Sequence, residues 1–291
     1  MPSLLWRALA RLFVAICAVA TLATTPLAAQ ATRPDTLPRD STRTTRGLER
    51  VLVRAFRAAD AAPIAQTTVA RATVERRSFA QDVPLMLQGT VPSLTAHAET
   101  GTNWGYSYLR LRGIDQSRIN LSLDGIPLND PEDQVFYFAN FADLAASVQS
   151  VQVQRGVGTS SAGTASFAGS INFETRPVGA MARGASAEVQ AGSFGARRLM
   201  VEGRTGMLPG RVAAYARLSG LRTNGFRDNA GVQGLSGFAS AAWMGDRDVI
   251  KATVLAGQLT DTLSYLAVPV DQLARNRRIN PLTPQETDKF G

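Results

Sequence analysis

The chain has one cysteine, Cys17, and one histidine, His97. Cys17 falls within a leader, so the mature chain lacks thiols. No disulfide can staple it, and packing and backbone pairing must hold it together. One histidine leaves no metal-ligand cluster, and no Gly-x-Ser-x-Gly elbow or triad spacing occurs, so nothing here reads as an enzyme or as a cofactor site. Lysine is scarce too, at two of the 31 basic residues. Beyond the leader no run approaches the ~18 apolar residues of a spanning helix. Barrel strands leave a much weaker trace and stay open as a membrane solution.

What is present begins with residues 1–31, which read as a secretory signal peptide. Arg7 and Arg11 form a basic start, Leu12 to Ala23 an apolar stretch, and Ala29 or Ala31 a small-residue cleavage position. Residues 32–47 hold one Leu and no aromatic, too little apolar surface to offset ordering, and read as a flexible linker. The formal net charge is +8. Residues 32–80 hold ten Arg against five acidic residues, so much of the excess lies near the mature N-terminus. An exported protein rarely meets nucleic acid, which leaves anionic lipid or plain solvation for that basic segment.

From residue 48 short β-prone and helical segments alternate. Thr67–Val69 predicts a strand. Val74–Gln88 predicts one or two short helices, broken near Pro84 and stopped by Gly89, and Phe141–Ala145 predicts another. Leu109-Arg110-Leu111-Arg112-Gly113-Ile114-Asp115 leads into Arg118–Leu128. Val151-Gln152-Val153-Gln154-Arg155-Gly156 and a Gly/Ser/Ala-rich stretch follow, ending in Gly169-Ser170-Ile171-Asn172-Phe173. Gly156 to Ser161 lacks the third glycine and the helix of a dinucleotide loop, and it lacks a phosphate-loop ending.

After Pro177 the pattern becomes period-2. Five segments, 184–193, 196–205, 211–222, 234–244 and 248–259, alternate small apolar residues with polar ones. Each is near the roughly nine to eleven residues of a tilted membrane strand. A soluble β-sandwich gives the same alternation. The connections favour a barrel: the second and fourth are short turns, while Thr223–Gly234 and the stretch after Thr260 are longer.

The order of strands and Arg-Gly endings over residues 48–176 resembles the plug domain of TonB-dependent outer-membrane receptors. The resemblance implies an α+β plug followed, over 177–291, by the first ~5 antiparallel strands of a barrel of about 22. On that reading the chain is the N-terminal part of a longer receptor in the outer membrane of a Gram-negative-type cell. It implies energy-coupled uptake of a scarce bulky nutrient, most often an iron–siderophore complex; cobalamin, haem or glycan are alternatives. The implied partners are a TonB-type energy-transducing protein of the inner membrane, the metal chelate or other nutrient, and outer-membrane lipid. A soluble exported adhesin or scaffold is the rival from another class.

The resemblance also nominates residues. Leu48, Glu49, Arg50, Val51, Leu52, Val53, Arg54 and Ala55 look like the TonB box, an extended segment that adds as a strand to its partner. The alternative is an ordinary first plug strand. Arg112 and Arg155 match plug arginines that pair with barrel glutamates, partners the resemblance places beyond Gly291; the alternative is an arginine at a strand end. His97, Asn103, Trp104, Tyr106, Gln134, Phe136 and Tyr137 are the ligand-contact candidates, with packing against the lumen wall the alternative for the Phe136–Phe138 run. Asn129, Asp130, Glu132 and Asp133 lack EF-hand spacing, so no metal site is assigned.

Overall fold

A computed structural model of the protein describes residues 57–59, 62–156 and 166–282. The leader, the linker, the candidate box at Leu48–Ala55 and most of the glycine-rich loop lie outside these residues.

Two bodies of structure meet along one face. The first opens with strand β1 (Gln66–Ala70) and helices α1 (Arg71–Arg77) and α2 (Val83–Gln88). Pro84 lies in the first turn of α2 rather than breaking a longer helix, because there its missing N–H costs nothing. Strands β2 (Leu94–Ala98), β3 (Ser107–Leu111) and β4 (Ile114–Asp115) make a small antiparallel sheet. Strands β5 (Ile119–Leu123), β6 (Ile126–Pro127), β7 (Val148–Arg155) and β8 (Gly169–Thr175) join β1 in a sheet of order β1-β7-β8-β5-β6. Only β5 and β8 run parallel in it.

Period-2 placement gives this sheet two unlike faces. Ile119, Leu121, Val151, Val153, Ile171 and Phe173 point into one apolar core with Val74, Leu87, Leu109 and Leu111. Each such fully buried side chain contributes roughly 1.5–3 kcal/mol, which lets the domain hold without disulfides. Ser122, Ser150, Gln152, Gln154, Ser170 and Asn172 line the opposite face and are buried as well. A buried polar face must find partners, and it finds them partly in the chain at residues 57–58.

The helix expected at Phe141–Ala145 is replaced by two 3₁₀ turns, Phe138–Phe141 and Leu144–Ser147. Asp143 stands between them at φ 56°, a left-handed conformation that interrupts any continuous helix.

The second body is an antiparallel meander: β9 (Gly184–Ala191), β10 (Arg197–Leu208), β11 (Val212–Thr223), β12 (Val232–Met244) and β13 (Val249–Asp261). A short helix α3 (Val270–Arg275) follows. The five strands fall where the alternation placed them. One face presents Val212, Ala214, Ala216 and Leu218 beside Trp243, Ala241, Ala239 and Gly237, then Ile250, Ala252, Val254 and Ala256. From the level of Val212 to that of Gly220 this apolar band is four two-residue steps, about 27 Å along the strands. Tilted by about 40°, that is roughly 20 Å of height, close to the apolar belt of a membrane barrel. The other face carries Arg198, Glu202, Tyr215, Arg217, Ser219 and Ser236, all buried against the first body.

Candidate functional site

Three groups of residues hold function-bearing chemistry: an N-terminal clamp, an exposed apex, and the charged seam between the two bodies.

The clamp lies on the polar face of the large sheet. Arg57 donates from Nε to Asn172 Oδ1 at 2.7 Å, and from Nη1 to Ser150 Oγ at 2.8 Å and Glu174 Oε2 at 3.2 Å. Its Nη2 reaches the backbone oxygens of Ser150 and Asn172 at 3.1 and 3.0 Å. All five guanidinium hydrogens therefore have acceptors within reach, an arrangement lysine could not reproduce. Next to it the Gln152 side chain pairs with both backbone groups of Ala58, each at 3.0 Å, as a neighbouring strand would. Residues 57 and 58 are thus tied directly to β7 and β8.

The apex is built by the β2–β3 connection and the Asn129–Tyr137 loop. Glu99 accepts from Ser264 N at 2.9 Å, and Trp104 Nε1 donates to Ala80 O at 2.6 Å. Gly101 and Gly105 have φ of 66° and 104°, and a Cβ on Gly105 would lie 2.7 Å from Asp261 Oδ2, so the turn closes only with glycine. Asn129 fixes the second loop by accepting from Leu121 N at 2.7 Å and donating to the oxygens of Ile119 and Gln134. His97 is exposed and stacks on Tyr108, ring centroids 5.6 Å apart. Tyr108 is raised above the usual phenol range chiefly by burial, with Glu99, Tyr137, Tyr106 and Asp133 adding negative potential. The Tyr137 hydroxyl donates to Asp133, which pushes the phenol up to about 12 and holds the carboxyl low. The fold therefore gathers His97, Tyr106, Tyr108, Asp133 and Tyr137 into one aromatic and acidic surface.

Of the seven ligand candidates, His97, Asn103, Tyr106, Gln134 and Tyr137 retain exposed or half-exposed surface. Phe136 does not. It is 1% exposed, edge-on to Phe138 and packed on Phe141, so it belongs to the core. Trp104 is also buried, in a cluster with Ala80, Ala142, Leu221 and Val232 that joins the two bodies. Tyr108 and Asp133 are the additions. Alternation along β3 puts Tyr108 on the face opposite Leu109 and Leu111, the signal that could have found it.

The seam is ionic. Asp143 Oδ2 accepts from Arg198 Nε and Nη2 at 2.9 and 2.7 Å and from Arg217 Nη1 at 2.9 Å, with both arginines on the strand wall. Arg217 also donates to Ser147 Oγ at 2.8 Å and Ser236 Oγ at 3.0 Å. A second contact joins Arg176 Nη1 to Glu202 Oε2 at 2.7 Å, an oxygen to which Tyr215 also donates, while Ser186 and Arg204 donate to Oε1. A third joins Lys251 Nζ to Asp124 at 3.1 Å and Thr175 Oγ1 at 2.7 Å.

Arg112 and Arg155 lie elsewhere. A Cβ on Gly156 would stand 3.3 Å from Arg112 Nη1, so the two Arg-Gly turns meet. Arg112 is exposed, and Arg155 Nη1 is enclosed without a hydrogen-bond partner. They sit at the far end of β7 from Val148, about 24 Å along the strand, and neither has a carboxylate partner among the described residues. The arginine of this body that does reach a wall glutamate is Arg176. Two of the three contacts have the opposite polarity, with the acid on the first body and the base on the wall.

Residues 58–170 match the family model described as the TonB-dependent Receptor Plug Domain. No curated protein matches the chain. Among solved structures, the ferric-catecholate import receptor Fiu from E. coli K12, closed form, is 19% identical with a TM-score of 0.58, over 72% of this chain and 28% of that one. The ferric yersiniabactin uptake receptor FyuA from Yersinia pestis is 18% identical with a TM-score of 0.57, over 78% and 36%. The unliganded ferric citrate transporter FecA is 16% identical with a TM-score of 0.59, over 76% and 34%. The chain thus matches about a third of each of these structures.

Proposed function

We propose that this chain, a TonB-dependent receptor by its plug domain and by the barrel strands that follow it, serves energy-coupled uptake of a metal chelate across an outer membrane. The observation that carries the reading is the arrangement around the plug. Its N-terminal entry is clamped to the central sheet at Arg57 and Ala58, and the turns beside that sheet are fixed to the wall by Asp143, Arg176 and Asp124. A pull applied ahead of residue 57 loads β7 and β8, and the ionic contacts hold the turns beside them against the wall.

The apex suits the cargo class. Aromatic faces at His97, Tyr106, Tyr108 and Tyr137 offer stacking to a planar or catechol-bearing chelate, and the nearby hydroxyl and amide groups offer directional hydrogen bonds. The similar solved receptors carry ferric chelates by their printed names, which favours an iron–siderophore complex here. The activity is transport, without covalent chemistry. Leu48–Ala55 is the segment offered to the inner-membrane partner by strand addition.

The test uses the full-length protein in a strain lacking other receptors and labelled ferric siderophores of different chelate classes. Deleting 48–55 is expected to abolish uptake and leave surface binding intact. Uptake that persists after the deletion refutes the coupling assignment. Absence of binding to every ferric chelate tried refutes the cargo class.

A further inference from the structure

We infer that the outward face of the wall carries a seat for a phosphate-bearing membrane lipid, made by Arg197 and Arg222 above a notch at Gly220. The inference rests on reading the five strands as membrane-facing, and it adds a specific bound lipid to that reading.

The register defines the surface row by row. Arg197 pairs with Arg222, and Arg222 continues the row to Gln233 and then Thr260. One step down, Val189 pairs with Leu199, Leu199 with Gly220, Gly220 with Leu235 and Leu235 with Gln258. Below that level the face is the uninterrupted apolar band of Val201, Leu218, Gly237 and Ala256. The two arginines therefore stand where the apolar band ends. That end also carries the longer connections, 224–231 and 262–282, which places it at the outer surface of the membrane on the proposed orientation.

Two features set this spot apart from an ordinary polar rim. Like charges directly opposite on neighbouring strands repel, yet Arg197 and Arg222 are both exposed and neither has a carboxylate partner among the described residues. The wall's other cations show that this sequence pairs arginines readily: Arg198, Arg204 and Arg217 all have acids. A phosphate supplies what the pair lacks, because two guanidinium forks can each hold it through parallel N–H···O bonds.

The second feature is the groove beneath. Gly220 leaves a gap between Leu199 and Leu235 in an otherwise side-chain-bearing row, and a Cβ there would approach Leu235 Cδ2 at 3.2 Å. Val189, Leu199 and Leu235 are 76%, 55% and 41% exposed and form its apolar sides. Together with the arginines and Gln233, Gln258 and Thr260 they line an open groove of about 610 Å³. Its polar head and apolar floor match one amphiphile, with phosphate between the arginines and an acyl chain in the notch. A soluble anion would leave the floor unused, and a neutral lipid would leave the charge pair uncompensated.

The experiment takes the full-length protein, extracted from outer membranes and reconstituted in phosphatidylcholine nanodiscs doped with a phosphorylated glycolipid (lipid A). Native mass spectrometry counts the glycolipid retained. Arg197→Gln with Arg222→Gln is expected to weaken retention roughly 30-fold, at the usual contribution of a basic residue beside anionic lipid. The pair of Arg→Lys changes should keep much of it. Gly220→Leu should weaken it while leaving both charges in place. Retention unchanged in the Arg→Gln pair overturns the inference, and so does full displacement by inorganic phosphate alone. Recovery of the wild type outside the outer-membrane fraction would instead overturn the receptor reading itself.

Discussion

Replacing Asp143 by alanine should loosen the plug from the wall more than any other single change in the seam. The carboxylate is 0% exposed and accepts three charge-assisted hydrogen bonds on Oδ2. Its two partners are not equally exposed to the loss. Arg198 keeps a second acid, Glu188, at 3.3 Å, whereas Arg217, 2% exposed, keeps only the hydroxyls of Ser147 and Ser236. Removing one member of a buried pair typically costs about 3–5 kcal/mol, because the remaining charge stays desolvated. Arg217 supplies most of that cost here. Replacing all three groups by apolar ones of similar size is commonly near neutral. Asp143→Leu with Arg198→Met and Arg217→Met should therefore recover most of what Asp143→Ala loses. Pulsed hydrogen exchange of the peptide spanning 138–156, followed against denaturant in the full-length protein, reads the docking step. A shift below about 1 kcal/mol for Asp143→Ala, or a triple variant as unstable as the single one, would refute the account of a buried charge held by its counter-charge.

Two further outcomes concern the plug itself. Arg57→Gln removes most of the five clamp bonds and should lower the force at which residues 57–59 peel from the sheet in single-molecule pulling. Ligand affinity should not change with it, and an unchanged rupture force sinks the clamp. Asp82 is buried and pushed up to about 8 by desolvation, against the pull of hydrogen bonds from Ser107 and Gly105. Its folded pKa lies above the unfolded value of 3.8, so its contribution is fully present below that value and is lost as pH rises through about 8. Protection of the 99–107 loop should accordingly fall between about pH 4 and pH 8, and Asp82→Asn should flatten the profile. A profile that is flat in the wild type refutes the assignment.

The alternation after Pro177 was enough to place all five wall strands, because a sheet with one lipid-like and one packed face repeats every two residues without interruption. It also separates the two faces, since Tyr215, Arg217 and Ser219 sit on the parity opposite Val212, Ala214 and Ala216. The plug was less legible. Its central sheet is buried on both faces, and Gln152, Gln154 and Asn172 look like solvent-facing positions until a segment covers them. Aromatic residues near a loop resemble ligand contacts, yet Phe136 packs inward on Phe138 and Phe141, and buried Gln116 donates to its carbonyl. Nothing local in the sequence reveals that tie, which spans 20 residues.

The same limit explains why the ionic seam was missed. Arg112 and Arg155 attract attention because an Arg-Gly ending is a local pattern, visible in a few residues. Asp143, Arg198 and Arg217 become a unit only when a left-handed turn meets two neighbouring strands, and no short window contains all three. The consequence for mechanism lies in where the fixed points fall. Asp143 and Ser147 sit beside the start of β7, at Val148, while Arg155 and its unpartnered Nη1 sit at its end. Arg57 grips between them, at Ser150, and across to Asn172 and Glu174 on β8. A pull entering there acts on a sheet whose Val148 end is tied to the wall by buried charges and whose Arg155 end has no such tie among the described residues. Force entering at Arg57 is therefore passed to the wall through the Val148 end of the sheet, where Arg217 of the wall holds both Asp143 and Ser147.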